Sequence, residues 1–375
     1  MKNERISEFL VERIAEGDFP SAVYLIAEHG EIVFQDALGN AVVEPRVIPA
    51  GFDTIYDAAS LTKVLATGLL VAIAIERGDL DPNQPIGTIL SEFHISVHAD
   101  VTVNLLAMHT SRLPAWKPFY LLVDHADEVL DEIARTLPVE NTGGVIYSDL
   151  NFITLAAILE RIYDEELDVL FHRMIAEPLG LADTLFRPPA DLRGRIAASE
   201  KGNEYERLMC IHSEFLPPTA EGVGGRSFRA QVIWGEVHDG NAFFMGGVAG
   251  HAGLFSTAED VLKIALQFLP KYSQLLKPET CELFRTNFTN GMNEDRAFAF
   301  QLASTRDSTA GTKMSPDSFG HNGFTGTSLW IDPVKDRIFV LLTNRTHAHP
   351  LPFENINGVR RTFHDIAIEL LDNEN

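Results

Sequence analysis

The segments with the alternating apolar pattern of β-strands lie at the two ends of this 375-residue chain. Near the N-terminus, residues 22–28 and 31–37 are separated by a histidine–glycine pair, which is typical of a β-hairpin. The strand pattern returns at residues 298–302, 326–332 and 337–343. Segments far apart in sequence must therefore meet, and we predict an α+β fold with one antiparallel sheet formed from both termini.

Helical patterns occupy the middle of the chain and both of its ends. Apolar residues recur every three or four positions in residues 4–16, in a helix that begins near residue 60, and in 102–108, 126–136, 150–162, 167–176 and 359–371. We expect the terminal helices to flank the sheet. The sequence predicts a sheet subdomain of residues 1–59 and 291–375, a mostly helical subdomain of residues 60–290, and an active site at their junction.

Composition excludes several classes of partner. The formal net charge is −23, whereas nucleic acids and anionic membranes are bound by clustered Lys and Arg. We expect a small-molecule partner, with no nucleic acid and no membrane. Two cysteines and an N-terminus without the apolar stretch of a signal peptide favour a reduced, cytoplasmic location. The apolar run of residues 64–75 is short for a bilayer and fits a buried helix.

Ser60 and Lys63 stand at the head of that apolar run. Residues i and i+3 share a helix face, so the hydroxyl and the amine are expected to lie side by side. A serine needs a base to become a nucleophile, and a desolvated lysine can be that base. The helix start also offers unpaired N–H groups for an oxyanion. The alternative at this point is an ordinary helix cap.

Two further segments change this balance. Tyr147-Ser148-Asp149 and His321-Asn322-Gly323 follow in order, and with the S-x-x-K pattern they resemble the three motifs of the serine β-lactamase and penicillin-binding-protein superfamily. The sequence around these motifs, including residues 53–60, 108–114, 250–257 and 343–345, is similar to the class C β-lactamase branch with its esterase and peptidase relatives. The likeness extends from about residue 20 to residue 350.

The resemblance implies a role for each matching residue. Ser60 is the nucleophile that forms an acyl-enzyme, and Lys63 and Tyr147 exchange its proton. The backbone N–H groups of Ser60 and Phe324 match the oxyanion hole of the relatives. The substrate-binding positions are expected to include Asp149, His321, Asn322, Gly323, Trp116 and Arg345.

The chain departs from the family pattern at two positions. His321 stands where the third motif has lysine, so a fixed positive charge is lost, since a histidine with its ordinary pKa near 6.5 is mostly neutral at pH 7. Asp149 stands where the second motif has asparagine, and an ionised carboxylate accepts hydrogen bonds but cannot donate them. Asp149 is also expected to raise the pKa of a nearby Lys63. Asp149 as a helix N-cap is the competing interpretation, and Arg345 is a candidate for the missing positive charge.

Other patterns have simpler interpretations. The histidines at positions 109, 251, 347 and 349 fall in predicted loops without i,i+4 pairing, so we expect no metal and no organic cofactor. His251 is a candidate for the rim of the site. The glycine-rich residues 246–253 lack the context of a phosphate-binding loop and are interpreted as a close-approach turn.

The sequence leaves three functions to be compared. The first is a serine hydrolase that acts on small esters or on amide and peptide-like substrates such as cell-wall-derived peptides. The second is a true β-lactamase, D-aminopeptidase or DD-peptidase, which the changes at His321 and Asp149 disfavour. The third is a catalytically idle relative that binds peptides or muropeptides, which the joint presence of Ser60, Lys63 and Tyr147 disfavours.

Overall fold

A seven-stranded antiparallel sheet forms the centre of the protein. The computed structural model describes residues 1–140, 143–217, 222–223 and 226–373. The strands of all sheets in these residues are β1 (Ser21–Glu28), β2 (Glu31–Val42), β3 (Ile48–Pro49), β4 (Tyr56–Asp57), β5 (Leu185–Phe186), β6 (Gly222–Val223), β7 (Arg226–Ser227), β8 (Leu254–Ser256), β9 (Gln301–Leu302), β10 (Phe319–Asn322), β11 (Ser328–Asp332) and β12 (Arg337–Thr343). The large sheet has the order β3-β2-β1-β12-β11-β10-β9, and β4, β8 and β5 form a smaller sheet.

Helices surround this sheet. They are α1 (Glu4–Glu16), α2 (Leu69–Arg77), α3 (Val103–Ala107), α4 (Phe119–Leu122), α5 (Val129–Arg135), α6 (Asp149–Tyr163), α7 (Leu167–Phe171), α8 (Glu177–Leu179), α9 (Glu204–His212), α10 (Gly240–Phe244), α11 (Ala258–Ala265), α12 (Pro278–Cys281) and α13 (Asn357–Asn373). Two π-helical segments, Lys63–Gly68 and His172–Ala176, extend α2 and α7. Short 3₁₀ turns, including Ala59–Leu61, complete the described elements.

The two termini meet in the middle of the large sheet. Strand β1 pairs with β12 in antiparallel register, from Ala22 opposite Thr343 to Glu28 opposite Arg337. Strand β1 also pairs with β2 through the predicted hairpin. The predicted α+β fold, with an antiparallel sheet built from both ends of the chain, is therefore confirmed.

Successive side chains of β1 point to opposite faces of the sheet, as in any β-strand. Tyr24 packs in one apolar cluster with Leu10 of α1 and Phe363 of α13. Val23 points the other way and belongs to a larger cluster that contains Leu70 of α2. The terminal helices thus cover one face. Helix α11 packs against β1 and β12 on the other face, in the same cluster as the helix that begins at the Ser60 turn.

The helical segment Ala59–Arg77 passes through this larger cluster. Its 19 residues make it longer than the apolar run seen in the sequence, and by length and composition it could cross a membrane. However, 83% of its apolar stretch is buried inside the protein, as in the core helix of a globular protein. The structure therefore gives it the predicted role of a buried helix, which extends beyond both ends of the apolar run.

One strand prediction near the C-terminus needs correction, and one strand there was missed. The strand predicted over residues 298–302 contains only β9, because Ala299 adopts a left-handed φ of 65°. Phe298 and Phe300 instead pack edge-on against Phe284. Strand β10 was not among the predicted strands, since its four residues include glycine, histidine and asparagine, which are weak strand formers.

Candidate active site

Ser60 lies in a tight 3₁₀ turn directly after β4. Ala59, the residue before it, has a left-handed φ of 48°, which is unusual for a residue with a side chain. The turn is held by Asp57, whose Oδ1 accepts a hydrogen bond from the Ala59 N–H at 2.8 Å. Thr62 Oγ1 donates to the Ala59 carbonyl at 2.6 Å. These bonds fix the backbone that presents the Ser60 hydroxyl.

The ammonium group of Lys63 has three acceptors around it. Lys63 Nζ lies 2.9 Å from Ser60 Oγ, 3.0 Å from the His251 carbonyl oxygen and 2.7 Å from Asp149 Oδ1. A lysine ammonium has three protons to donate, so each proton has a partner. The side chain is 0% exposed, and the contact with Ser60 is the one that the S-x-x-K pattern predicts.

The charges around Lys63 determine whether its amine is protonated. Burial by itself would lower the pKa of this lysine, but the charges of Asp149 and Tyr147 act in the opposite direction, and the net pKa is raised. The protonated form is therefore favoured in the resting protein. This result agrees with the effect that the sequence predicts for Asp149.

Asp149 is a partner of Lys63 and does not cap the helix. Helix α6 has Ser148 as its N-cap residue, and Asp149 is its first helical residue. Ser148 in turn is held by its Oγ, which donates to the Pro114 carbonyl at 2.6 Å. The N-cap interpretation of Asp149 was therefore wrong, because the carboxylate bonds to the buried ammonium across the site.

Tyr147 is surrounded by two imidazole rings and two cations. Its ring centroid is 4.7 Å from that of His109 and 5.7 Å from that of His321. Lys63 Nζ lies 5.1 Å from the centre of the Tyr147 ring, and Arg296 Cζ lies 5.3 Å from it. The phenol ring of Tyr147 therefore lies close to two buried cations.

Both imidazoles beside Tyr147 are neutral. Burial lowers the pKa of His109 and of His321 well below the usual value, and the nearby charges of Arg296 and Lys63 lower it further. His321 Nδ1 lies 3.0 Å from the Asn322 carbonyl oxygen and so donates to it. The third motif therefore contributes a neutral ring where relatives of this pattern have a lysine.

Strand β10 and the turn after it are bonded to the Ser60 turn. Thr325 Oγ1 donates to the Asp57 carbonyl at 2.8 Å, and Thr327 Oγ1 donates to the Ala58 carbonyl at 2.9 Å. A Cβ on Gly323 would overlap Thr327 and the Ala58 carbonyl, so this position requires glycine. These contacts bring two segments about 270 residues apart in sequence side by side.

The backbone N–H groups of Ser60 and Phe324 are the expected oxyanion hole. Within the part of the chain that the structure describes, neither the Ser60 N–H nor the Phe324 N–H is hydrogen-bonded to another backbone group. Free N–H donors next to a nucleophile suit the charge that develops on a carbonyl oxygen. The oxyanion hole itself stays a prediction.

A cavity of about 490 Å³ opens above Ser60. Its wall contains nine of the ten predicted site residues: Ser60, Trp116, Tyr147, Asp149, His321, Asn322, Gly323, Phe324 and Arg345. The tenth, Lys63, lies fully buried beneath Ser60. Trp116 packs edge-on against Phe215 at 6.4 Å between ring centroids.

Arg345 is less available than its predicted role suggests. Its Nε donates to the Phe324 carbonyl and its Nη1 to the Glu354 carbonyl, both at 2.7 Å. Its Cζ also lies 4.8 Å from the centre of the Phe324 ring. The guanidinium therefore supports the segment that holds the expected oxyanion N–H.

Several residues of the wall were not foreseen from the sequence. Helix α9 lines one side of the cavity, and two arginines and the pair His238–Asp239 line other parts of it. The wall residues that were not predicted include Tyr205, Glu206, Met209, His238, Asp239, Arg296 and Arg360. No motif spacing marks them, because they come from loops and from two helices, α9 and α13, outside the three motifs. The burial of an arginine cannot be read from a single sequence.

The glycine-rich residues 246–253 form the predicted close-approach turn. Gly247 and Gly253 adopt left-handed φ values of 87° and 113°. A Cβ on Gly250 would overlap the carbonyl oxygen of Phe152. The turn delivers the His251 carbonyl to Lys63, so it shapes the site through its backbone.

Asp149, Asp239 and His251 could together hold a cation, since their ligand atoms lie within 4.8 Å of one another. However, Lys63 already places a positive charge at Asp149. His251 Nε2 lies 3.0 Å from Asp239 Oδ1. The close approach of these three residues is therefore explained by hydrogen bonds and an ion pair within the protein.

Comparison with known proteins gives the family. The sequence model of the Beta-lactamase family matches residues 6–360. A putative D-alanyl-D-alanine carboxypeptidase of Escherichia coli (strain K12) is 31% identical over 382 residues, which cover 91% of this chain and 84% of the relative. An N-acetylmuramyl-L-alanine amidase of Bacillus subtilis (strain 168) is 27% identical, with 95% and 84% covered.

Solved structures show the same fold. EstCE1, a hydrolase with promiscuous acyltransferase activity, superposes with a TM-score of 0.73 at 21% identity over 97% of this chain and 98% of its own. A class C beta lactamase from Rhodobacter sphaeroides gives a TM-score of 0.73 at 20% identity, with 98% and 100% covered. The resemblance seen in the motifs is confirmed, and this chain belongs to the Beta-lactamase family of serine hydrolases.

Proposed function

We propose that this protein hydrolyses an amide bond in small peptide-like substrates through an acyl-enzyme on Ser60. The observation that carries the proposal is the 2.9 Å contact between Lys63 Nζ and Ser60 Oγ beneath a cavity of about 490 Å³. A serine hydroxyl that contacts a buried lysine, on a turn whose backbone N–H groups can bind an oxyanion, is equipped for nucleophilic attack on an acyl carbon.

The proposed reaction has two steps. Ser60 Oγ attacks the carbonyl carbon while its proton passes to Lys63 and Tyr147, and the carbonyl oxygen becomes an oxyanion between the N–H groups of Ser60 and Phe324. The tetrahedral intermediate expels the amine, which takes the proton. Water then attacks the ester carbon and gives up a proton to the same groups. The bond from the acyl carbon to Ser60 Oγ breaks, Ser60 Oγ takes that proton back, and the acid is released.

The resting charge of Lys63 sets a condition on this cycle. Its raised pKa means that the protonated form is favoured at neutral pH. An ammonium cannot accept the Ser60 proton, so Lys63 must first lose a proton, or Tyr147 must take the Ser60 proton first. The acylation rate is therefore expected to rise with pH.

The choice of an amide substrate rests on the relatives. Two of the relatives that match over most of this chain are named as a putative D-alanyl-D-alanine carboxypeptidase and as an N-acetylmuramyl-L-alanine amidase. A cavity of about 490 Å³ is large enough for a short peptide. Cell-wall-type peptides are therefore the first substrates to test.

Ester hydrolysis is the second candidate activity, and one observation favours it. The carboxylate of Asp149 is bonded to Lys63 and has no proton to donate. It therefore cannot hold a substrate amide carbonyl, as an asparagine at this position could. Esters need less help because their leaving group is better, so simple esters are expected to react as well.

A substrate panel tests the proposal. The wild-type protein and Ser60→Ala are incubated between pH 6 and pH 10 with an N-acylated D-alanyl-D-alanine peptide, a short-chain nitrophenyl ester and a chromogenic cephalosporin. We expect Ser60-dependent turnover of the peptide, and of the ester, to exceed that of the cephalosporin. Turnover of the cephalosporin at a rate that rivals both would favour a β-lactamase, and no Ser60-dependent turnover would favour the idle binding protein.

A further inference from the structure

His109 is a fully buried histidine beside Tyr147. It lies two residues after helix α3, and none of its surface is exposed. Its backbone has a left-handed φ of 58°, a conformation that histidine and asparagine adopt more readily than most residues with a side chain. The fold therefore holds this residue in an uncommon conformation next to Tyr147.

His109 is bonded to the peptide groups on both sides of Tyr147. Its carbonyl oxygen accepts a hydrogen bond from the Ile146 N–H at 2.8 Å, and its ring Nδ1 accepts one from the Ser148 N–H at 3.0 Å. The rings of His109 and Tyr147 are also in contact, with 4.7 Å between their centroids. One residue thus holds the backbone before and after Tyr147 and packs against its side chain.

Neighbouring hydrogen bonds fix which nitrogen of the His109 ring carries the proton. Ser111 Oγ accepts from the Leu113 N–H at 3.1 Å and donates its own proton to Asn151 Oδ1 at 2.5 Å. The amide nitrogen of Asn151 therefore faces His109 Nδ1, at 3.1 Å. Because the Ser148 N–H is also a donor, Nδ1 is an acceptor and the proton of the neutral ring lies on Nε2.

The acceptor role of Nδ1 requires that the ring stays neutral. A proton on Nδ1 would remove both of its hydrogen bonds and add a cation beside Arg296 and Lys63. Burial and the charges of these two residues lower the pKa of His109 well below its usual value. The ring is therefore an acceptor at neutral pH.

The position of Tyr147 depends on contacts of this kind. Residues 145–148 form neither helix nor strand, so the hydrogen bonds that hold their backbone come from other segments, and His109 supplies two of them. Lys63 Nζ lies 5.1 Å from the centre of the Tyr147 ring. Proton transfer needs its donor and acceptor within hydrogen-bonding reach, so a small displacement of the phenol would slow it.

We propose that His109 is a positioning residue for Tyr147, whose neutral Nδ1 and carbonyl oxygen hold the two peptide groups that flank the phenol. This proposal rests on the proposed function, in which Tyr147 exchanges a proton with Ser60 and Lys63. His109 acts through Tyr147 and takes no proton itself. Its loss is therefore expected to lower kcat, with a smaller effect on KM.

Two variants of similar size separate the acceptor from the bulk of the side chain. In His109→Asn the amide oxygen is bonded to Cγ, as Nδ1 is in histidine, and asparagine also tolerates the left-handed φ. His109→Leu has no acceptor. Amide hydrogen exchange, resolved to Ser148 by mass spectrometry of overlapping peptides, compares them without turnover. We expect the Ser148 N–H to exchange about 10-fold or more faster in His109→Leu than in wild type, and at nearly the wild-type rate in His109→Asn.

The second readout is the kcat and KM of the same proteins with the peptide and the ester of the substrate panel. We expect His109→Leu to lower kcat by about 10–100-fold, as misplacement of a reacting group does, with KM changed less than about 3-fold. His109→Asn should recover most of the lost kcat.

His98→Leu is the matched control. His98 is another buried histidine, 2% exposed, and its Nε2 contacts the Thr136 carbonyl oxygen at 2.7 Å. Its replacement should lower the thermal stability but leave kcat and the exchange of the Ser148 N–H unchanged. Thermal unfolding of each variant shows whether the fold is retained. If His109→Leu does not fold, His109→Gln replaces it, because the glutamine amide lies one bond further along the side chain than Nδ1.

Unchanged exchange of the Ser148 N–H in a folded variant without the acceptor would overturn the proposal. Equal losses of kcat in His109→Asn and His109→Leu would also overturn it, since the acceptor would then have no role. If the wild-type protein shows no Ser60-dependent turnover, the proposed function fails, whereas faster exchange of the Ser148 N–H in His109→Leu alone still supports the role of His109. The two failures are therefore seen separately.

Discussion

Asp149 Oδ1 lies 2.7 Å from Lys63 Nζ, and the same nitrogen lies 2.9 Å from Ser60 Oγ. One carboxylate therefore controls the charge of the lysine that contacts the nucleophile. An asparagine at this position would leave Lys63 without this attraction. The aspartate that stands here in place of the asparagine of the motif therefore affects the chemistry of Ser60 through Lys63.

Asp149→Asn is expected to move the pH–rate profile to lower pH. The carboxylate raises the pKa of Lys63 against the effect of burial, so its removal lowers that pKa and makes the neutral amine more abundant. A neighbouring opposite charge typically shifts a pKa by about 1–3 units, so the rise of kcat/KM should move by about one unit or more. Asp100→Asn, at an exposed position, is the matched control. Superimposable profiles for wild type and Asp149→Asn would contradict this account of Lys63.

Restoring the lysine of the third motif is expected to harm this protein. His321→Lys would place a third cation near Arg296 and Lys63 in a buried site, and an uncompensated buried charge costs roughly 3 kcal/mol. His321→Gln, which adds no charge, should cost less. Urea unfolding at pH 7 measures both. The double variant His321→Lys, Arg296→Met should be more stable than His321→Lys alone, and additive losses would argue against charge crowding.

Glu206 is expected to make stability decline as pH rises. Burial and the charge of Asp239 raise the pKa of this carboxyl group. The folded state therefore binds a proton more tightly than the unfolded state, so the free energy of unfolding falls as pH rises from the unfolded pKa to the folded one. Glu206→Gln removes this loss and can keep the acceptor for the Gly240 N–H.

Denaturant unfolding of wild type and Glu206→Gln at pH 5 and pH 8 checks this expectation. The stability of the glutamine variant relative to wild type should increase between these pH values by roughly 1 kcal/mol or more. A constant difference between the two proteins would show that Glu206 does not retain its proton in the folded state.

Gly250→Ala is expected to destabilise the turn that supplies an acceptor to Lys63. A Cβ at this position would overlap the Phe152 carbonyl oxygen and the Ala156 side chain, and overpacking of this kind costs about 1–3 kcal/mol. Gly358→Ala is the matched control, since nothing lies within 4 Å of a Cβ there. Chemical denaturation of both variants, with kcat/KM, measures the effect. Equal stabilities would mean that the turn adapts at little cost.

The sequence predicted the parts of the fold that have strong local patterns. Helix α1 spans the predicted residues, and β12 has the predicted bounds. The short strands β4 and β8 were missed because two or three residues show no periodicity. Strand β10 depends on pairing with β11 across Gly320 and Trp330, which is a tertiary effect.

The candidate site was predictable to the extent that it lies in the motifs. Ser60, Tyr147 and the segment at His321 converge on one cavity as the resemblance implies. The contact of Asp149 with Lys63 decided between two interpretations that the sequence left open. The role of His109 could not be found, because it comes from hydrogen bonds to both neighbours of Tyr147, which belong to the folded chain.

The identity of the acylated residue is the most direct test of the central claim. Wild type, Ser60→Ala and the surface variant Ser213→Ala are incubated with a fluorophosphonate between pH 6 and pH 10, and the adduct is located by mass spectrometry of the digested protein. This account predicts a single adduct on the peptide that contains Ser60, present in wild type and Ser213→Ala and absent in Ser60→Ala. An adduct on another residue, or none in wild type at any pH, would contradict the account.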